Sequence, residues 1–311
     1  MRYGTGAMQY EVVPNWAQVP AGWSFKDIGG LAIDEDDNVY VLNRSESPVL
    51  VFDREGRILR HWGESLFKRA HGARLAPDGS IFCTDDGDHW VGKFTRDGEL
   101  LMTLGLKGVP SDTGYRRGWD VYQSTSTIAH AGPPFNRPTG VAITTDGSIF
   151  VSDGYGNCRI HHFDAQGNLL RSWGEPGGEP GRFRLPHDVV LDARGRLLVA
   201  DRENSRIQVF SQEGDLLTVW HDVIRPTGLS TDRNGLVYVS QFCLCISVFD
   251  LDGRLVTTWG NQSTVREEAV FLAPHTVAVD SHGDVYVGEV SRTYAGTDRG
   301  ADTIHKFRRN R

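Results

Sequence analysis

The stretch Gly30-Leu-Ala-Ile-Asp-Glu-Asp-Asp-Asn-Val-Tyr-Val-Leu42, followed by Val49-Leu-Val-Phe-Asp-Arg-Glu-Gly-Arg-Ile-Leu-Arg-His-Trp-Gly63, decides the fold. Its order is a short apolar strand, an acidic turn and a second alternating strand. A third strand ending in Phe follows, then a Gly turn and a fourth strand ending at Trp-Gly. The same order recurs over 72–105, 140–174, 188–220 and 228–260. A sixth copy begins at Thr276, with Asp284-Val-Tyr-Val-Gly288 and Thr303-Ile-His-Lys-Phe307. A repeat of this length is one supersecondary unit that buries its apolar face against its neighbours. Four antiparallel strands make one propeller blade, so the six copies predict an all-β, six-bladed β-propeller. Pairs such as Asp78-Gly79 and Asp146-Gly147 tolerate positive φ and predict two-residue hairpins. The sixth copy lacks a fourth strand before Arg311, and Tyr10-Glu-Val-Val-Pro-Asn-Trp16 resembles one. The N-terminal strand is therefore expected to complete the last blade and close the ring, leaving no free sheet edge. Residues 1–311 read as a single propeller domain. Residues 106–137 interrupt the spacing between copies two and three and carry Tyr115, Trp119, Tyr122 and Phe135. A long insertion at that place reads as a lid or pocket wall.

Composition narrows the function. The formal charge is −7, which gives no footprint for nucleic acid or an anionic membrane and leaves a small molecule as the expected partner. Thirty-six glycines in 311 residues exceed the usual ~7% and point to many tight turns. Residues 1–20 contain Glu11, Pro14 and Asn15 and do not read as a signal peptide. No apolar run approaches the ~18 residues that span a bilayer. Four cysteines are too few for a disulfide framework, so the chain is read as soluble, reduced and cytoplasmic. Cys243 and Cys245 form a C-x-C whose spacing is neither a zinc nor a redox motif, and they read as packing residues. The oligomeric state is left open.

Aligning the residue that opens the innermost strand of each copy gives Gly29, His71, Thr139, His187, Thr227 and His275. Alternate blades of a six-blade ring are related by about 120° around its axis. Three imidazoles at one height would converge there as a tripod. With 11 histidines in 311 residues, such an alternation in one column has a chance of about 10⁻⁴, or a few parts in a thousand over some 35 columns. Three histidines leave a fourth position for water or substrate, the pattern of a catalytic zinc rather than a closed structural one. Zinc is favoured by three neutral imidazoles; iron, cobalt and copper stay open by ligand type. The bland alternative is three channel histidines bonded to water and backbone. The other histidines, among them His61, His89, His161 and His282, show no symmetry and read as surface or supporting residues.

The loops after each second strand should rim one mouth of the channel. They carry Asn43-Arg44, Asp85-Asp86, Asp153-Gly-Tyr155, Asp201-Arg202, Gln241-Phe242 and Glu289. Arg44 and Arg202 could clamp a carboxylate. Tyr155 could bond a substrate hydroxyl and act as a base beside a metal.

Two resemblances follow from these residues. Val151-Ser-Asp-Gly-Tyr-Gly-Asn-Cys-Arg-Ile160 and Val199-Ala-Asp-Arg-Glu-Asn-Ser-Arg-Ile207 resemble NHL repeats. In such repeats the Asp, Asn and Arg tie neighbouring loops and strands together, which makes Asp153, Asn157, Arg159, Asp201, Asn204 and Arg206 structural. The combination of Arg69-Ala-His71-Gly72, Arg137-Pro-Thr-Gly140 through Asp153-Gly-Tyr155, Leu185-Pro-His187 through Asp201-Arg-Glu-Asn204, and Ala273-Pro-His275 resembles the peptidyl-α-hydroxyglycine amidating lyases. That resemblance implies zinc on the three histidines, catalysis by Tyr155 and an active-site role for Arg44. It has departures. The family places Asp after the third histidine and uses it to hold a structural calcium; Thr276 stands there, which weakens the case for calcium. A Met two places before that histidine is Ala273, and the Cys after the catalytic tyrosine is Gly156, which removes the family's disulfide at that loop. No copper monooxygenase part accompanies the stretch, and with no secretion signal a peptide hormone is not the expected substrate.

The reading that follows is a metal-dependent lyase that cleaves the C–N bond of a small carbinolamide to an amide and an aldehyde. Tyr155, Arg44 and Arg202 would serve catalysis, and His71, His187 and His275 would hold the metal. A metal-dependent hydrolase of an ester, lactone or amide is the alternative. A metal-free NHL scaffold that binds protein or RNA is a third reading, which the acidic balance and the histidine column disfavour.

Overall fold

The computed structural model describes residues 2–260 and 270–310. The described residues form six antiparallel sheets, five of four strands and one of five. They are the blades of an all-β, six-bladed propeller. Residue contacts group the chain into two compact units, one of residues 65–226 and one of residues 1–64 with 227–311.

The first of these units holds blades two, three and four. Their innermost strands are Ala70–Leu75, Pro138–Ile143 and Pro186–Leu191, and each is followed by three strands in simple up-and-down order. The second strands, Ile81–Asp85, Ile149–Asp153 and Leu197–Asp201, are buried along their whole length. The outermost strands, Leu100–Leu104, Leu169–Trp173 and Leu216–Trp220, are largely exposed. This gradient explains the sequence pattern. A strand covered on both faces reads as a continuous apolar run, whereas an edge strand tolerates polar residues. Apolar side chains of adjacent blades interlock, as where Phe150, Ile160 and Phe183 meet Val189, Val199 and Phe210.

The other unit holds blades one, five and six, with innermost strands Ile28–Ile33, Pro226–Thr231 and Pro274–Val279. Met8–Val13 pairs antiparallel with Ile304–Arg309, setting Tyr10 opposite Arg309 and Val12 opposite Phe307. The N-terminus thus supplies the missing strand of blade six and closes the ring, as the sequence predicts. Two details differ. Arg2–Thr5 adds a fifth strand to that blade. Trp16 lies beyond the strand, with its ring against Phe52 and Tyr286 and its Nε1 donating to the Arg54 carbonyl at 2.9 Å. It therefore joins blade six to blade one instead of ending a strand.

The hairpins also differ from the two-residue expectation. At 53–57, Gly56 N–H donates to Asp53 O and Asp53 N–H donates to Arg57 O, both at 2.9 Å. That is a three-residue loop, a type I turn followed by a left-handed residue. Asp53 Oδ1 accepts from the N–H groups of Glu55 and Arg57, and Asp164, Asp192, Asp232, Asp250 and Asp280 repeat the pattern. The Asp carboxylate satisfies two turn amides at once, so the turn is set by the Asp three residues before the Gly.

The insertion 106–137 contains the short helix Val121–Ser126, capped by Asp120, whose carboxylate accepts from Gln123 N–H at 2.7 Å. Among the described residues no helix is long and apolar enough to cross a membrane.

Trp16 is 4% exposed and Trp119 in the insertion is 85% exposed. Trp16→Ala should therefore cost about 3–5 kcal/mol, and Trp119→Ala should stay within ~0.5 kcal/mol. Urea denaturation of the two variants checks both.

Candidate metal centre

The site begins as an irregularity in the innermost strands. Pro138 faces Asp153 and Gly140 faces Ser152, so Thr139 is an extra residue with no partner of its own. The same shift leaves His187 extra between Pro186 and Asp188, His275 between Pro274 and Thr276, and Gly29 between Ile28 and Gly30. In blade two both His71 and Gly72 fall in the shift. A β-bulge re-aims the side chain it carries, and here it does so at the column that holds the histidines.

In blades two, three, four and six an acid ends the second strand and holds the bulge. Asp85 accepts from the N–H groups of Lys68 and Arg69, Asp153 from Asn136, Asp201 from Arg184 and Leu185, and Glu289 from Leu272 and Ala273. These carboxylates are buried and brace the loops that lead into the bulges. Asn157 Nδ2 donates to Asp153, and Asn204 and Arg206 donate to Asp201, in the structural roles expected of them. Arg159 instead faces Glu175, and His161, of the two places open to it, takes the supporting one, wholly buried beside Phe135 with its Nε2 3.5 Å from Asp153.

The column residues reach across to the next blade. His71 Nδ1 lies 2.8 Å from Thr139 O, and His275 Nδ1 lies 3.0 Å from Gly29 O. Thr139 and Thr227 donate their hydroxyls to Pro186 O and Pro274 O at 2.8 and 3.0 Å. A carbonyl oxygen only accepts, so Nδ1 of His71 and of His275 carries the proton and Nε2 keeps its lone pair. The three imidazoles are 1–2% exposed. One ligand nitrogen from each of His71, His187 and His275 lies within 4.8 Å of the others. Buried, convergent and with the tautomer of two of them set by backbone, these residues fit one divalent transition-metal ion and leave room for a further ligand.

Tyr155 stands beside two of these histidines. Its hydroxyl is 3.0 Å from His187 Nε2 and 3.3 Å from His71 Nε2. The Gly-Tyr-Gly sequence makes this possible. A Cβ at Gly154 would meet Pro186 O at 2.3 Å, and one at Gly156 would meet Asn136 Oδ1 at 2.3 Å. Gly156 O also accepts from Thr113 Oγ1 at 2.6 Å, which fastens the insertion to the Tyr155 loop.

Three guanidiniums surround the Tyr155 ring, with the Cζ atoms of Arg69, Arg137 and Arg202 at 5.6, 5.2 and 5.4 Å from its centroid. Arg202 is 1% exposed; its Nη1 lies 3.4 Å from the Tyr155 hydroxyl and its Nε donates to Glu203 at 2.9 Å. Arg225 also donates to Glu203 at 2.9 Å. Burial pushes the Glu203 carboxyl up, but the two guanidiniums hold it below its ordinary range. Arg69 and Arg137 share the buried Asp86, and Arg137 donates to the Tyr115 hydroxyl at 2.8 Å. Arg44 lies in the other unit, where its Nη1 is 3.1 Å from Asp27 and 3.4 Å from the Thr293 hydroxyl.

The NHL repeat family matches residues 135–163 and 183–210. The human NHL repeat-containing protein 3 is 30% identical over 81% of this chain and 73% of its own length. The chain belongs to the NHL repeat proteins. This NHL propeller is also 35% identical, over 54% of its length, to a probable peptidyl-alpha-hydroxyglycine alpha-amidating lyase of Caenorhabditis elegans, of which it covers 45%. It spans less than half the length of the amidating relatives it matches. Among solved structures, a streptogramin B lyase has the same fold, with a TM-score of 0.63 at 15% identity, covering 98% of this chain and all of the other.

The sequence reading of the NHL propeller brought forward the histidines, Tyr155 and Arg202, which the structure places together. It named Asp86 as a rim residue and Tyr115 as part of the insertion, and it quoted Arg69, Arg137 and Glu203 within motifs without giving them a role. A signal for the arginines existed. Arg69, Arg137 and Arg225 all stand two residues before the histidine–threonine column, in blades two, three and five.

Binding of a metal to the folded site stabilises the fold by mass action. Added Zn²⁺ should raise the Tm of the metal-stripped protein. His71→Ala, His187→Ala and His275→Ala should each lose most of that rise while keeping the β-rich circular dichroism. His61→Ala, whose ring pairs with Glu64 at the surface, should keep it.

Proposed function

We propose that the NHL propeller is a zinc-dependent lyase that cleaves a small carbinolamide, R–CO–NH–CH(OH)–R′, to the amide R–CO–NH₂ and the aldehyde OHC–R′. The observation that carries this reading is a phenol within 3.0 and 3.3 Å of two ring nitrogens of a three-histidine cluster. A divalent ion on the histidines would supply Lewis acidity that makes the substrate hydroxyl a better proton donor.

The chain's own residues account for the rest of the chemistry. Tyr155, as the phenolate, takes the hydroxyl proton. The O–H electron pair becomes the second bond of the aldehyde carbonyl, the C–N bond breaks, and its pair stays on nitrogen. The nitrogen then takes the proton back from Tyr155, so no water and no net proton is consumed. Arg202 donates towards the phenol oxygen, and Arg69 and Arg137 over the ring add positive charge where the phenolate forms. Arg202 reaches the Tyr155 hydroxyl, so we assign it to the phenol; we assign Arg44, which is braced by Asp27, to the acidic end of R′. The likeness to a relative named as an amidating lyase supports this class of substrate. We place the enzyme in the cytoplasm on its four free cysteines.

Removing a general base typically costs ~10²–10⁴-fold in rate. Tyr155→Phe keeps the ring and should lower kcat by at least about a hundredfold, with bound metal retained and KM little changed. Arg44→Met should instead raise KM for acidic substrates more than for neutral ones. Steady-state kinetics on a panel of carbinolamides separates the two patterns. A near-normal kcat in Tyr155→Phe, together with solvent ¹⁸O in an acid product, would replace the lyase by the hydrolase.

A further inference from the structure

Cys243 and Cys245 do not pack as the C-x-C spacing suggested. Their sulfurs lie 3.0 Å apart, and both residues are partly exposed. Leu244 between them has φ +66°, a left-handed conformation that bulky L-residues rarely adopt, and its N–H donates to Gln241 O at 3.1 Å. In an ordinary strand the side chains two apart lie on one face but farther from each other. The tight turn at Leu244 draws the two thiols together. A left-handed residue stands at the same hairpin position in blades two, three and four, at His89, Cys158 and Ser205, so the turn belongs to the repeat, and among these four it is flanked by two cysteines only at Leu244. Gln241 Nε2, held by the Ser247 hydroxyl at 2.7 Å, lies 3.4 Å from Cys245 Sγ. The other two cysteines differ in every respect: Cys83 and Cys158 are buried, and burial pushes both thiols up.

We infer that Cys243 and Cys245 are a reversible dithiol–disulfide site whose co-substrate is a low-molecular-weight disulfide such as glutathione disulfide. The hydrogen bond between the two sulfurs couples the thiols, lowering that of Cys245 and raising that of Cys243. The thiolate of Cys245 attacks one sulfur of the glutathione disulfide and expels one glutathione thiolate, forming a mixed disulfide. Cys243, giving up its proton, then attacks Cys245 Sγ and expels the second glutathione. The two cysteines lose two electrons and two protons, and glutathione disulfide becomes two glutathiones. A disulfide needs its sulfurs at about 2.05 Å, roughly 1 Å closer than they stand, a movement within the reach of a two-residue turn. Phe242 stacks on Tyr294 at 4.4 Å between ring centroids, so closing the disulfide would bear on that contact.

The experiment is a titration of the purified, reduced full-length protein with glutathione buffers from fully reduced to fully oxidised, quenched with a thiol-blocking reagent. Tryptic cleavage leaves both cysteines on one peptide, residues 234–254. That peptide should become about 2 Da lighter, through loss of two hydrogens, and escape the blocking reagent. Dithiothreitol should reverse the change, and the peptides holding Cys83 and Cys158 should stay blocked and unchanged in mass under native conditions followed by denaturing labelling. Cys243→Ser should stop at a glutathione adduct on Cys245. A parent peptide that stays fully reduced in glutathione disulfide, or that ends as a stable glutathione adduct or a cross-linked dimer, overturns the proposal. The readout is a mass, so it stands or falls independently of the lyase reading.

Discussion

The site depends on one hydrogen bond repeated between blades, from a side chain in a bulge to a main-chain carbonyl of the next innermost strand. His71 to Thr139 O, Thr139 to Pro186 O, Thr227 to Pro274 O and His275 to Gly29 O are its instances. Where the bulge residue is threonine, the bond uses up the side chain and only ties blades together. At His71 and His275 the same bond occupies Nδ1 and leaves Nε2 with its lone pair. A structural bond thereby determines the tautomer, and the tautomer determines that the column can bind a metal. A buried imidazole without that partner would have no fixed tautomer and would leave a polar atom unsatisfied.

The second constraint is charge around Tyr155. Arg69 and Arg137 pair with Asp86, and Arg202 and Arg225 pair with Glu203. Each carboxylate bridges two guanidiniums, which fixes them in place. Groups held in this way need no reorganisation during the proton transfer proposed for Tyr155. The insertion contributes through Tyr115 on Arg137 and Thr113 on Gly156, so it braces the Tyr155 loop from outside the repeat.

Much of this was legible in the sequence because a propeller makes register visible. Once the copies are aligned, a column in the alignment is a ring of positions in space, and the histidines stand out as three of six. The parts that were not legible are those where side chains act on the backbone. The three-residue hairpins depend on Asp carboxylates such as Asp53 capping two turn amides, and a dipeptide signal cannot show it. The strand Arg2–Thr5 has no counterpart in the other blades, so the repeat gave no template for it. Asp85, Asp153, Asp201 and Glu289 are buried because each satisfies backbone amides before a bulge, which their place in the repeat does not by itself show. The closeness of Cys243 and Cys245 arises from the left-handed Leu244, which no spacing rule foresees.

The central claim is that His71, His187 and His275 hold one catalytic metal. The most direct measurement is elemental analysis of the gently purified protein, with X-ray absorption at the edge of whatever metal it contains. The account predicts close to one transition-metal ion per chain, coordinated by three imidazole nitrogens at about 2.0–2.1 Å if it is zinc. A protein that carries no such metal and takes none up, or whose metal has a shell without imidazole, would contradict it.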